Sequence, residues 1–189
     1  MKATISGCKR LGSHTVDTEC IVQKSYGDGM MIVAVDASKE TDPKDVEDMA
    51  VSIINVWEQN SVLTRERLTE CLEKALGISR KLSVTILILD GKSIGIADAG
   101  NNRLYEISEG RIIREARETI LCRKYIPRQD EALILATEGF WKYVEEQDIL
   151  IDFSKSETAQ AWISYLSTRI GLRMETFDDS YSAIAVVFE

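Results

Sequence analysis

Residues 133–148, LILATEGFWKYVEEQD, constrain the fold more than any other stretch of the sequence. An apolar run stops abruptly at an acid, a glycine and two aromatics. A run this short, closed by a turn residue, reads as a buried strand rather than a helix. It carries the Glu138 carboxylate to a sheet edge, where Gly139 lets the chain turn. Any fold for this chain must therefore place an acid at the rim of a sheet, and the next question is which other acids arrive at strand ends.

The rest of the chain alternates in blocks. Residues 20–23 and 30–35 are apolar or β-branched runs separated by SYGDG, the signature of a hairpin. Asp42-Pro43 supplies a cap and a first helical position. Val46, Met49, Ala50, Ile53, Ile54 and Trp57 then recur at helical spacing. Residues 64–76 repeat the pattern through Leu68, Cys71, Leu72, Ala75 and Leu76, with Gly77 as C-cap. Strand-like runs follow at 83–89, 93–97, 104–107 and 111–113, with Asp90-Gly91 as a turn, and then at 132–136. Helices are expected over 141–147 and 157–171, and a closing strand over 183–188. Hairpin-joined strands interrupted by two consecutive helices predict an α+β arrangement, with mainly antiparallel sheets and helices on their outer faces. No glycine-rich phosphate fingerprint occurs. With 189 residues, 44% of them hydrophobic, and no low-complexity linker, the expectation is one domain over 1–189.

Charge and cysteines narrow the function. A formal net charge of −8 argues against binding a phosphate backbone, so no nucleic-acid partner is expected. No apolar stretch reaches the roughly 20 residues that span a bilayer, and the N-terminus lacks a signal-peptide core, so no membrane partner is expected either. Cys8, Cys20, Cys71 and Cys122 are scattered and there is one histidine, which fits reduced thiols in a cytoplasmic protein and not a zinc site. Cys122 and Arg128 match the Cys-x5-Arg spacing of thiol phosphatases, but Pro127 has no N–H with which to cradle phosphate.

Four acids stand at strand ends: Glu19 before the first hairpin strand, Asp36 at the end of MMIVAVD, Glu138 after LILAT, and Asp179 just before the last strand. Converging carboxylates repel unless a cation sits among them, and hard oxygen donors suit Mn²⁺ or Mg²⁺. The segments that carry these acids resemble those of the metal-dependent, type-2C protein phosphatases. TEGFWK resembles "SDGLWD", GMMIVAVDASKE resembles "FAVADGMGG", and IGIADAGNNRLY resembles "ANVGDSRAY". FDDSYSAIAVV resembles "DDNITVIVV", and SHTVDTEC sits where that family has "RxxxED". The segments occur in the right order along nearly the whole chain.

The resemblance implies a four-layer α-β-β-α sandwich with two central, mainly antiparallel sheets. It implies Mn²⁺ or Mg²⁺, here around one good metal position. It also implies hydrolysis of phosphoserine or phosphothreonine by a metal-activated water. Carried over residue by residue, Glu19, Asp36, Glu138 and Asp179 fall on metal-ligating acids and Ala37 on a ligating carbonyl. Asp36, Glu138 and Asp179 also carry the catalytic assignment. The implied partner is a phosphoprotein substrate or a regulatory protein.

Departures from the pattern are numerous. Cys20 stands for an acid that holds metal-bound waters, Asn101 for the acid of "GDS", Ser180 for Asn, and Thr15 for the phosphate-binding Arg, leaving no assigned phosphate clamp. Ser38-Lys39-Glu40 lacks the flexible "MGG", and Glu138 is one methylene longer than Asp. Only residues 104–137 separate GNNR from Glu138, too few for the family's flap subdomain, which leaves recognition to the basic stretch CRKYIPRQ or to a partner. Two functions remain open: a divergent phosphatase, and a pseudophosphatase that keeps the scaffold for protein binding. An unrelated mixed α/β domain with coincidental edge acids is the third.

Overall fold

The hairpins and helices expected from the sequence form in the computed structural model, which describes residues 2–12, 18–38, 40–77, 82–114, 119–174 and 179–189. In chain order the elements are β1 (Ala3–Arg10), β2 (Glu19–Tyr26), β3 (Gly29–Ala37), α1 (Pro43–Gln59), α2 (Arg65–Leu76), β4 (Leu82–Asp90), β5 (Ser93–Ala99) and β6 (Arg103–Ser108). There follow β7 (Arg111–Arg114), β8 (Thr119–Lys124), β9 (Ala132–Ala136), α3 (Glu138–Trp141), α4 (Glu146–Ser154), α5 (Ala159–Arg173) and β10 (Tyr181–Phe188). They build two antiparallel five-stranded sheets, β2-β3-β4-β5-β8 and β1-β10-β9-β6-β7. Each sheet, with its own helices, is a separate compact unit.

In the first unit α1 lies on β2 and β3, and α2 on β4, β5 and β8. The Asp42 carboxylate accepts from the Lys44 N–H at 2.9 Å and Thr64 Oγ1 from the Arg67 N–H at 3.1 Å, satisfying backbone donors that a helix start leaves bare. All six apolar residues expected on the α1 face are buried. They pack with Met31, Val33, Val35, Val84, Ile86 and Ile88, every second residue of β3 and β4. The intervening Ile32, Ala34 and Leu87 are equally shielded. Burial of both faces is why these strands read as continuous apolar runs and not as alternation.

In the second unit α5 lies on β1 and β10, α3 against β10, and α4 against α5. Trp162, Ile163, Leu166 and Ile170 meet Ile134, Ala183, Ala185 and Val187 in its core. The β6–β7 hairpin turns on Glu109 and Gly110, both at positive φ, the conformation a two-residue turn of matching twist requires. Two buried acids clamp α4 to α5. Arg169 bonds Asp152 through Nε at 2.9 Å and Nη2 at 2.5 Å. Arg173 bonds Asp148 through Nη1 at 2.5 Å and Nη2 at 3.1 Å.

The structure differs from the sequence expectation in three places. The helix expected over 141–147 is split: α3 begins at Glu138, and α4 starts at Glu146 behind a capping box of Glu145 and Asp148. Strands β1 and β8 were not expected at all. Both are edge strands, where one ladder is missing and polar residues such as Lys9, Arg10, Arg123 and Lys124 interrupt the apolar signal. No described helix is long and apolar enough to cross a membrane.

Burial pushes the Asp148 carboxyl up, but the bonds from Arg173 and the Glu145 N–H, with the charge of Arg169, more than reverse this and hold it below its ordinary value. A depressed carboxyl stabilises the fold above its unfolded pKa and loses that contribution as pH falls through the folded one. Denaturant titrations should therefore show stability declining below about pH 4. Asp148→Asn should be less stable by roughly 2 kcal/mol at neutral pH, between the values typical of exposed and buried pairs, and flatter in acid.

Candidate functional site

Strand register in the first unit sets Glu19 directly opposite Asp36, and Asp36 opposite Ser83. Directly opposed residues of an antiparallel pair share a face, with Cβ atoms about 5 Å apart. Cys20, Val35, Ala37, Leu82 and Val84 belong to the helix-side core, so the pleat sends Glu19, Asp36 and Ser83 to the other face. Glu19 is buried and Asp36 half-buried. The Ala37 N–H donates to the Thr18 carbonyl at 2.9 Å, extending the β2–β3 ladder past the acids and holding them in register.

The loop after β5 closes onto the same row. Gly100 adopts φ +104°, and a Cβ there would lie 2.5 Å from Ser83 Oγ and 2.6 Å from its Cα. The Asn101 N–H donates to Ser83 Oγ at 2.9 Å, while Asn102 Nδ2 donates to the carbonyls of Ser83 at 3.2 Å and Ala34 at 3.3 Å. The GNNR segment is thereby pinned beside the strand position that faces Asp36. Asp98, opposite Thr85 and bonded by its hydroxyl at 2.5 Å, occupies the next row on that face. Cys20 does not fit the role of a lost water-holding acid, because its side chain sits in the apolar cluster with Val35. An aspartate there would be a buried charge.

The second unit brings Glu138 and Asp179 to one sheet end. Thr137 and Ser182 clasp each other beyond the β9–β10 ladder. The Thr137 N–H donates to the Ser182 carbonyl at 3.0 Å, and the Ser182 N–H to Thr137 Oγ1 at 3.0 Å. Glu138 follows at the start of α3, exposed, and Asp179 leads into β10. Trp141 Nε1 donates to the Ala136 carbonyl at 2.9 Å, fixing α3 over the strand end.

Beside Asp179 stands a residue the sequence reading passed over. Lys142 Nζ bonds Asp179 Oδ2 at 2.8 Å. Its pKa is raised, first by that hydrogen bond and also by the charges of Asp179 and Glu138. The signal was present in the motif: where the phosphatase segment SDGLWD ends in an acid, TEGFWK ends in a lysine.

Glu19 and Asp36, side by side at strand ends with hard oxygen donors, fit a divalent cation. Asp179 is bonded to an ammonium whose charge Glu138 also feels. Among the described residues no three His, Cys, Asp or Glu side chains gather as a metal-holding group. Thr15, which stands where the phosphate-binding Arg is expected, and Asp178, the residue before Asp179, lie outside the described residues.

The basic stretch behaves as structure. Arg128 Nε bonds the buried Glu131 at 3.2 Å and its Nη2 bonds Glu109 at 3.1 Å. Desolvation raises the Cys122 thiol above its ordinary pKa, the opposite of what a nucleophilic cysteine needs.

No family model and no curated protein matches the sequence. Solved structures do match. The phosphatase domain of SpoIIE from Bacillus subtilis, with a fragment of its regulatory domain, superimposes at TM-score 0.79 with 12% identity. The match covers 100% of this chain and 64% of that one. A serine/threonine phosphatase from S. agalactiae matches at TM-score 0.76 and 13% identity, over 99% of this chain and 100% of that one. RsbX, solved in complex with magnesium, matches at 0.72 and 12%, over 99% and 96%. The two antiparallel sheets with their helices thus form a type-2C phosphatase-like fold.

The packing of Gly100 on Ser83 makes a contrast that denaturant titration can read. Gly100→Ala meets both the positive φ and the Ser83 backbone and should cost about 2 kcal/mol or more. Gly91→Ala, at φ +55° with open space around it, should cost only about 1 kcal/mol.

Proposed function

We propose that this chain is a divergent metal-dependent phosphatase that hydrolyses phosphoserine or phosphothreonine in a protein substrate, its residues 1–189 working as one domain. The observation that carries the reading is the register that sets Glu19 against Asp36 inside a type-2C phosphatase-like fold. Glu19, Asp36 and the Ala37 carbonyl are the proposed ligands of a first Mn²⁺ or Mg²⁺, and Glu138 and Asp179 are the other acids proposed for metal binding and catalysis. Bound there, such an ion supplies an acidified water and positive charge against the phosphoryl oxygens. Asp36 orients that chemistry through its carboxylate, and Ser83 with the Gly100–Asn102 loop holds the Asp36 row rigid. Support also comes from the neighbours, one solved with magnesium and another, the catalytic domain of PstP, with two manganese ions. A cytoplasmic location fits the four free cysteines.

A second reading, a pseudophosphatase that serves as a regulatory protein-binding domain, is favoured by one observation: the ammonium of Lys142 bonded to Asp179. Calorimetric titration with Mn²⁺ and a phosphopeptide assay separate the two. The phosphatase reading expects metal uptake and metal-dependent hydrolysis in the wild type, both lost in Asp36→Asn, and firmer metal binding in Asn101→Asp. Hydrolysis no faster than in Asp36→Asn, with or without Mn²⁺, would leave the binding domain as the function.

A further inference from the structure

The pair Glu138 and Asp179 carries its own cation. Lys142 follows Glu138 by four residues, and its backbone stays in the helical region at the end of α3, so the two side chains share a face. The ammonium then reaches across to Asp179 Oδ2 at 2.8 Å, over an interval of 37 residues. One positive charge thus answers two carboxylates that β9 and β10 deliver to the same sheet end. Trp141 and the Thr137–Ser182 clasp fix the segment from which it projects.

We infer that Lys142 is a resident counter-ion that stands in for a divalent metal at Glu138 and Asp179, leaving the protein with a single ion at Glu19 and Asp36. The inference deepens the metal-centre reading and rests on it for the first ion only. The ammonium answers the carboxylates in charge, and its repulsion of a second cation is doubled when that cation is divalent. It also supplies no exchangeable water, so the Glu138–Asp179 side contributes positive charge without Lewis-acid chemistry. Lys142 is 47% exposed and Asp179 27%, which makes the ion pair a weak contributor to folding. Replacing the lysine therefore changes the charge at the site without unfolding the chain.

Calorimetry with Mn²⁺ on five proteins tests this: wild type, Lys142→Met, Lys142→Arg, Lys142→Met/Asp179→Asn and Asp36→Asn. The wild type should bind a single ion that Asp36→Asn abolishes. Lys142→Met should take up a second ion, Lys142→Arg should not, and the double variant should lose the second ion again. Thermal melts should agree, with Lys142→Met gaining more from added Mn²⁺ than the wild type does. An unchanged stoichiometry in Lys142→Met overturns the inference while an Asp36-dependent ion still upholds the metal-centre reading. An ion that appears only in Lys142→Met and depends on Asp179 upholds Lys142 as the stand-in for a metal and overturns the ion at Glu19 and Asp36. No Mn²⁺ uptake by any of the proteins overturns both.

Discussion

Two carboxylates set opposite each other on an antiparallel ladder repel, and the rest of this structure is arranged around that fact. β2 and β3 leave no freedom in the matter: a register in which Cys20 and Val35 reach the helix-side core puts Glu19 and Asp36 next to each other on the other face. A slip of one residue would turn the acids into the helix-side apolar cluster in place of Cys20 and Val35, so the hydrophobic pattern itself holds the charges together. The Ala37–Thr18 bond and the Gly100–Ser83 contact then seal the end of the row. Like charges held this way need positive charge nearby. At Asp179 the chain supplies such a charge from its own sequence, with Lys142.

Much of the fold was legible because its signals are local. The cap of Asp42 with Pro43 and the apolar face of α1 each depend on a few adjacent residues, and each is present; the turn expected at Asp90-Gly91 forms one residue on, at Gly91 and Lys92, because Asp90 still pairs with Ser93. What escaped is what depends on distant partners. β1 acquires its strand character from pairing with β10 at the far end of the chain. The break between α3 and α4 is made by the reciprocal bonds of Glu145 and Asp148 and the anchoring of Asp148 by Arg173. No periodicity in the sequence encodes either.

The candidate site divides in the same way. That Glu138 and Asp179 stand at strand ends could be read from the apolar runs beside them, but the Glu19–Asp36 pairing depends on a register set by Gly27 and Asp28 as the turn residues, which the strand runs alone do not give. The direction of Cys20 could not be read from motif alignment, since neighbouring strand residues face opposite ways. Lys142 was visible in the sequence but acquires meaning only through Asp179, 37 residues on. At identities of 9–14%, the likeness to solved structures is a likeness of fold, which the pattern of buried strands carries.

The most direct test of the account is anomalous diffraction from crystals equilibrated with Mn²⁺. The account predicts a manganese peak in bonding contact with the carboxylates of Asp36 and Glu19, with Lys142 still bonded to Asp179 and no peak between Glu138 and Asp179. A molecule that takes up no manganese at Asp36, or takes it only beside Glu138 and Asp179 with Lys142 displaced, would contradict it.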